Sequence, residues 1–108
     1  MIEMTKLFNA FSLQMRVSPK GGIEWEEISP EEARRLLKDG VDSYVGHQDM
    51  ANVISAVLGI SIPAQRRHGK IEEGETIIVA QYDGGRLPEG TTELPEGAKI
   101  TFLKVTAK

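Results

Sequence analysis

The sequence contains no cysteine and only two histidines among its 108 residues. Without cysteine, disulfide bonds, thiolate zinc sites and cysteine nucleophiles are all excluded. His47 and His68, with no thiolate to join them, also make a poor zinc site. The strongest candidates for chemistry are therefore the carboxylates, the arginines and the two imidazoles.

Positive charge and long apolar runs are also scarce. The chain has 13 Lys and Arg against 16 Asp and Glu, with a net charge of −3 and a pI near 5.4. Broad attraction to duplex DNA or RNA is therefore not expected. No apolar run approaches the roughly 18 residues of a membrane span, and nothing at the amino terminus has the pattern of a signal peptide. These absences predict a cytoplasmic protein with no membrane partner and no duplex nucleic-acid partner.

Familiar catalytic motifs are missing as well. The sequence has no P-loop, no Gly-x-Gly-x-x-Gly fingerprint and no Gly-x-Ser-x-Gly elbow. Its aspartates do not form a two-metal nuclease pattern, although carboxylates could still converge from distant positions. The sequence therefore predicts a protein that uses neither a metal nor a cofactor.

The length of 108 residues suits one domain, because so short a chain has little apolar surface for a second core. Four segments have strand patterns, at 5–11, 23–28, 75–82 and 99–105. The segment 75–82 is a nearly continuous apolar run, so we expect it at the centre of a sheet. The pattern predicts one α/β domain over residues 1–108, with a mixed sheet of about five strands and helices packed on it.

The first of two predicted helices has a clear beginning. Ser29 is the expected N-cap, Pro30 takes the first helical position, and Glu32 completes a capping box. Gly40 follows the last apolar residues and ends the helix. Its apolar face is narrow, so we expect this helix to cover one face of the sheet.

The second predicted helix is preceded by His47. Apolar residues recur at three- and four-residue spacing over 50–58, and Gly59 supplies a left-handed end. Gln48 or Asp49 stands where the N-cap belongs. His47 therefore lies at the mouth of this helix, beside unpaired backbone N–H groups that bind phosphate oxygens readily. It could also be a cap residue or a satisfied surface group.

Two further segments carry groups that could act beside His47. QRRHGK, at 65–70, contains Arg66 and Arg67 and could also be a solvated connection. The Gly- and Pro-rich segment 83–98 contains LPEG twice, and only the first copy is preceded by an arginine.

Arg86 and Glu89 belong to that first copy of LPEG, which could otherwise be a simple turn. Histidine exchanges a proton near neutral pH, and arginines clamp phosphates in a fork geometry. With His47 and the basic segment, these groups suit RNA cleavage by the substrate's own 2′-hydroxyl, which needs in-line geometry and leaving-group protonation but no metal.

Three blocks of sequence together resemble the viral ring nuclease family. These blocks are LFNAFSLQM at 7–15, VGHQD at 45–49 and RLPEG at 86–90, with Arg66 and a helix ending in Leu-Gly between the last two. The blocks occur in the order seen in that family, and the resemblance spans about residues 5–105. The family comprises the type III-1 anti-CRISPR proteins, with cellular relatives in type III CRISPR systems.

The resemblance implies a function and a set of site residues. Family members are homodimers that bind cyclic tetra-adenylate, the second messenger of type III CRISPR immunity, and cut it without metal to linear di-adenylate. By resemblance, His47 is the general acid, and Glu89 and Arg86 assist at the cleavage site. Further substrate contacts are implied for the matching blocks and the basic segment, at Asn9, Ala10, Ser12, Gln14, Gly46, Gln48, Asp49, Arg66 and Arg67. A viral member would act in the host cytoplasm.

Two other functions are compatible with the same residues. A non-catalytic binder could use the same pocket to sequester a cyclic oligonucleotide. A small structural or partner-binding domain would not depend on His47 at all.

Overall fold

A computed structural model of the chain describes residues 4–11, 15, 17 and 19–108. Within these residues the elements, in chain order, are β1 (Thr5–Phe8), β2 (Ile23–Ile28), α1 (Pro30–Leu37), β3 (Val41–Ser43), α2 (Gln48–Leu58), β4 (Thr76–Asp83) and β5 (Lys99–Ala107). None of the helices in this part of the chain is long and apolar enough to cross a membrane. Ser12, Leu13 and Gln14, where the sequence could begin a short helical turn, lie outside the described residues.

The strands form one mixed sheet in the order β2-β5-β4-β1-β3. Strand β1 runs parallel to both β3 and β4, whereas β5 is antiparallel to β2 and β4. The predicted α/β domain with a five-stranded mixed sheet is therefore confirmed. The predicted first strand is shorter than expected and ends at Phe8. Strand β3 has only three residues, too few for a periodic pattern to identify in the sequence.

Strand β4 is buried on both faces of the sheet, as its apolar run predicts. Ile77 and Val79 belong to one hydrophobic cluster, and Ile78 and Ala80 belong to the other. All four side chains are buried, because successive residues of a strand point to opposite faces. The predicted central strand is confirmed.

The two faces of the sheet are covered differently. Both helices pack on one face, where Leu37 of α1 and Ile54 of α2 meet Phe102 of β5. On the opposite face, Ile71 belongs to the cluster around Phe8, and this residue comes from the connection between α2 and β4. The connection between α2 and β4 therefore helps to cover the second face, as the two helices cover the first.

Helix α1 begins as predicted, but only half of the capping box forms. Ser29 Oγ accepts a hydrogen bond of 3.1 Å from the backbone N–H of Glu32. The Glu32 carboxylate does not return this contact in the described residues, because both of its oxygens accept hydrogen bonds from Arg35. These hydrogen bonds hold the pKa of Glu32 below its usual value.

Helix α2 begins at Gln48, so the N-cap is His47 and not Gln48 or Asp49. His47 has an extended backbone, with φ −115° and ψ 133°, and its side chain makes no capping hydrogen bond. The predicted end of the helix is confirmed: Gly59 has φ 72° and donates to Ser55 O at 2.8 Å. Because the His47 imidazole is not used as a cap, it is available at the helix mouth.

Candidate functional site

A cleft of about 970 Å³ lies at one edge of the sheet. The carboxyl ends of β1, β3 and β4 meet at this edge because the three strands run in parallel. Ligands of open α/β sheets bind at such edges. Among the described residues, those lining the cleft come from the ends of β1 and β4, the start of α2 and the segment after β4: Asn9, His47, Asp49, Met50, Tyr82, Gly84, Gly85, Arg86, Leu87, Pro88 and Glu89.

His47 enters the cleft at the amino end of α2. Its backbone carbonyl accepts from the N–H of Ala51 at 3.0 Å, which closes the first turn of the helix. The preceding first-turn N–H groups have no partner within the helix, and they form the positive end of its dipole. The exposed imidazole therefore stands beside a site where an anion is stabilised.

Arg86 and Glu89 lie in the same cleft as His47, so the structure brings the three predicted catalytic side chains together. Arg86 forms no ion pair with any residue that the structure describes, and both side chains are exposed. Asn9, a predicted substrate contact, also lines the cleft. A free arginine at the cleft wall can receive a phosphate oxygen without first breaking an internal salt bridge.

Arg66 reaches the neighbourhood of the cleft by crossing Gly46. A Cβ added to Gly46 would lie 3.3 Å from Arg66 Cγ, so glycine permits this close approach. The crossing is held in place by a 2.8 Å hydrogen bond from the N–H of Gln65 to Val45 O. Arg66 is exposed and has no ion-pair partner within the described part of the chain. Gly46 and Arg66 therefore lie together, one residue before His47.

Arg67 takes part in packing and does not line the cleft. Its guanidinium donates to Ser43 O at 2.8 Å and pairs with the Asp42 carboxylate. It also lies 4.0 Å from the centre of the Tyr44 ring, which stacks on Phe8 at 4.5 Å. The two neighbouring arginines thus differ: Arg67 has the Asp42 carboxylate of β3 and the ring of Tyr44, which follows β3, and Arg66 has neither within the described residues.

The remaining predicted contacts are distributed as follows. Ala10 follows the cleft residue Asn9 and is exposed, whereas Ser12 and Gln14 lie outside the described residues. Gln48 Nε2 donates to Asn52 Oδ1 at 2.8 Å. Gln48 therefore has a partner on its own helix.

Asp49 does line the cleft, but it is also engaged with the chain after β4. Its Oδ1 accepts from the N–H of Gly90 at 3.2 Å. A carboxylate in this position bonds to the loop and offers a negative charge, not a donor, to a phosphate. The Asp49 carboxylate thus has a defined hydrogen bond to the protein, whereas its negative charge does not suit direct contact with an anionic ligand.

Sequence reasoning missed the apolar wall of the cleft. Met50, Tyr82 and Leu87 line it, and the Tyr82 hydroxyl donates to Gly85 O at 2.7 Å. A usable signal was present for Tyr82, the aromatic residue just before the Asp-Gly-Gly turn that ends β4. No group of three or more His, Asp or Glu side chains within the described ranges is arranged to hold a metal ion.

The fold and the cleft define a single-domain α/β protein with a cleft at the carboxyl edge of a mixed sheet, lined among others by His47, Arg86 and Glu89. The model of the STIV B116-like family matches residues 5–102, and the chain belongs to that family. Among solved structures, B116 of Sulfolobus turreted icosahedral virus is 24% identical, with 96% of this chain and 99% of that chain covered. The TM-score of 0.78 shows that the two share a fold.

A comparison with curated proteins gives no significant match. The sequence resemblance predicted a viral protein family, and membership of a family named after a viral protein agrees with that part of the prediction. Ring nuclease activity stays a prediction.

Proposed function

We propose that the protein is a metal-independent ring nuclease that binds cyclic tetra-adenylate and cuts it to linear di-adenylate. Such cleavage would end second-messenger signalling in type III CRISPR immunity, in the host cytoplasm if the gene is viral. The observation that carries the proposal is the meeting of His47, Arg86 and Glu89 in one cleft. The three residues come from two of the sequence blocks that resemble the ring nucleases.

The cleft offers separate surfaces for phosphates and for bases. The amino end of α2, Arg86 and the nearby Arg66 supply N–H donors and positive charge for phosphate oxygens. The Tyr82 ring and the Met50 thioether supply an apolar wall against which a base can stack. A nucleotide needs both kinds of surface, and a cleft with only one would suit a simple anion or an apolar molecule better.

The proposed reaction is an in-line attack by a ribose 2′-oxygen on the adjacent phosphorus. The bond from phosphorus to the 5′-oxygen breaks, and the protonated His47 imidazole donates its proton to that leaving oxygen. The 2′-hydroxyl proton is released to solvent, so the new ends are a 2′,3′-cyclic phosphate and a 5′-hydroxyl. Arg86 stabilises the charge that grows on the phosphoryl oxygens, and Glu89 orients Arg86 or a ribose hydroxyl.

Incubation with cyclic tri-, tetra- and hexa-adenylate tests this function directly. The protein is mixed with each ring in excess EDTA, and the nucleotides are separated by chromatography. Linear di-adenylate from the tetramer is the expected product. Loss of cleavage in EDTA, with recovery in magnesium or manganese, would contradict the metal-independent mechanism.

The same samples distinguish the other functions. Tight binding with the ring recovered intact would identify a sequestering protein. Neither binding nor cleavage of any ring would favour a structural or partner-binding domain and would refute the proposal.

A further inference from the structure

We propose that Asp49 and Asn52 are positioning residues that hold the first LPEG turn against α2 and thereby keep Arg86 and Glu89 at the cleft. We call these two residues and their hydrogen bonds to the turn the latch. Its effect on kinetics rests on the proposed function, but the latch itself is a property of the free protein. In the free protein, both residues form hydrogen bonds to the backbone of the loop.

The latch consists of two hydrogen bonds from one face of α2. Asp49 Oδ1 accepts from the N–H of Gly90 at 3.2 Å, and Asn52 Nδ2 donates to Thr91 O at 3.2 Å. Residues three apart in a helix lie on the same face, so both side chains reach the same turn. Asp49 accepts and Asn52 donates, which matches the N–H and the carbonyl group that the turn presents.

A third hydrogen bond orients the latch. Gln48 Nε2 donates to Asn52 Oδ1 at 2.8 Å, one helical turn away. This contact occupies the Asn52 oxygen and directs its amide nitrogen toward Thr91 O. Asn52 is partly buried and is not among the described residues that line the cleft, so its contacts are with the protein.

The turn itself is a compact unit that the latch can hold. Thr91 N–H donates to Pro88 O at 3.2 Å, and Gly90 has φ 84°, a conformation that favours glycine. Arg86 lies two residues before the turn and Glu89 lies inside it. Holding the turn therefore limits the positions of both side chains.

The second LPEG copy provides a comparison within the chain. Ala98 N–H donates to Pro95 O at 3.1 Å, and Gly97 also has φ 84°. This turn has the same form as the first, but within the described residues it makes no hydrogen bond to a helix. The repeat thus consists of two similar turns, of which only the first is latched.

Hydrogen–deuterium exchange on the free protein tests the latch without any ligand. In Asn52→Leu and Asp49→Ala, the amides of residues 86–91 should exchange about 2- to 10-fold faster, as expected for the loss of one hydrogen bond. The turn at 95–98 should not change. Asp49→Asn should restore protection at Gly90, because its amide oxygen still accepts. Unchanged exchange at 86–91 in both disrupting variants would overturn the proposal.

Kinetics test the positioning role. Asn52→Leu should lower the single-turnover rate on cyclic tetra-adenylate several-fold. The dissociation constant should change less, because the proposed roles of Arg86 and Glu89 are in the transition state more than in binding of the ring. Ala56→Leu, on the exposed surface of the same helix, is the matched control and should match the unmodified protein.

The two proposals fail in different ways. An unmodified protein that does not cleave the ring refutes the proposed function, and exchange still decides on the latch. Cleavage by the unmodified protein with an unchanged rate in Asn52→Leu refutes the positioning role alone.

Discussion

The two histidines show how position, more than exposure, distinguishes a candidate catalytic residue. Both imidazoles are exposed, and both stand in polar stretches of sequence. His47 is the N-cap of α2 and lines the cleft. His68 lies in the connection between α2 and β4 and, among the described residues, does not line the cleft. His68 is therefore a natural control for His47.

We predict that His47→Ala lowers the cleavage rate far more than ligand affinity. Removal of a general acid typically costs ~10²–10⁴-fold in rate. The proposed phosphate contacts from the helix mouth and Arg66 would remain in this variant. Single-turnover rates beside a binding titration measure the two effects, and His68→Ala should behave as the unmodified protein. Equal losses in rate and affinity would make His47 a binding residue instead.

At the scale of elements, the segment 65–71 takes the place of a helix on the second face of the sheet. Gly69 passes close to the stacked rings of Phe8 and Tyr44. A Cβ on Gly69 would lie 2.3 Å from Phe8 Cε2 and 2.8 Å from Tyr44 Cδ2. Phe8 is only 5% exposed, so its ring has little room to move away.

We therefore predict that Gly69→Ala destabilises the fold by about 1–3 kcal/mol, the usual cost of overpacking. Urea unfolding should show a lower midpoint with an unchanged slope. Gly85→Ala is the matched control, because no atom lies within 4 Å of its added Cβ, and it should change stability by less than about 0.5 kcal/mol. Equal urea midpoints for Gly69→Ala and the unmodified protein would show that the segment is not packed against the rings of Phe8 and Tyr44.

At the scale of the whole molecule, one chain has too few groups to surround the proposed ligand, a four-nucleotide ring. It contributes one His47, one Arg66 and one Arg86–Glu89 pair, whereas the ring has four phosphates in a symmetric outline. A two-fold partner would present the same groups to the opposite side. Two facing histidines would also account for the two cuts and the di-nucleotide product of the proposed reaction.

We predict a symmetric homodimer that binds one ring across its two-fold axis. Closed two-fold dimers are the commonest oligomers, so the assembly needs no unusual interface. Light scattering should give twice the chain mass of 11.9 kDa at micromolar concentration. Calorimetry should give one ring for every two chains. A monomer, or one ring per chain, would contradict the shared site even if cleavage were observed.

Local patterns in the sequence were sufficient to predict features that depend on near neighbours. Ser29 caps α1 and Gly59 ends α2 because both contacts lie within four residues along the chain. The central position of β4 follows from its apolar run, since a strand buried on both faces needs apolar residues at every position. The three blocks of resemblance also predicted that His47, Arg86 and Glu89 act together.

Contacts between distant parts of the chain appear only in the folded structure. Asp49 and Gly90 are 41 residues apart, and only the order of the strands brings the loop after β4 onto α2. The different environments of Arg66 and Arg67 likewise depend on β3, which is too short to show a pattern of its own. The two arginines are neighbours in sequence and identical in type, yet they have different partners. Tertiary topology, and not local propensity, determines which side chains meet.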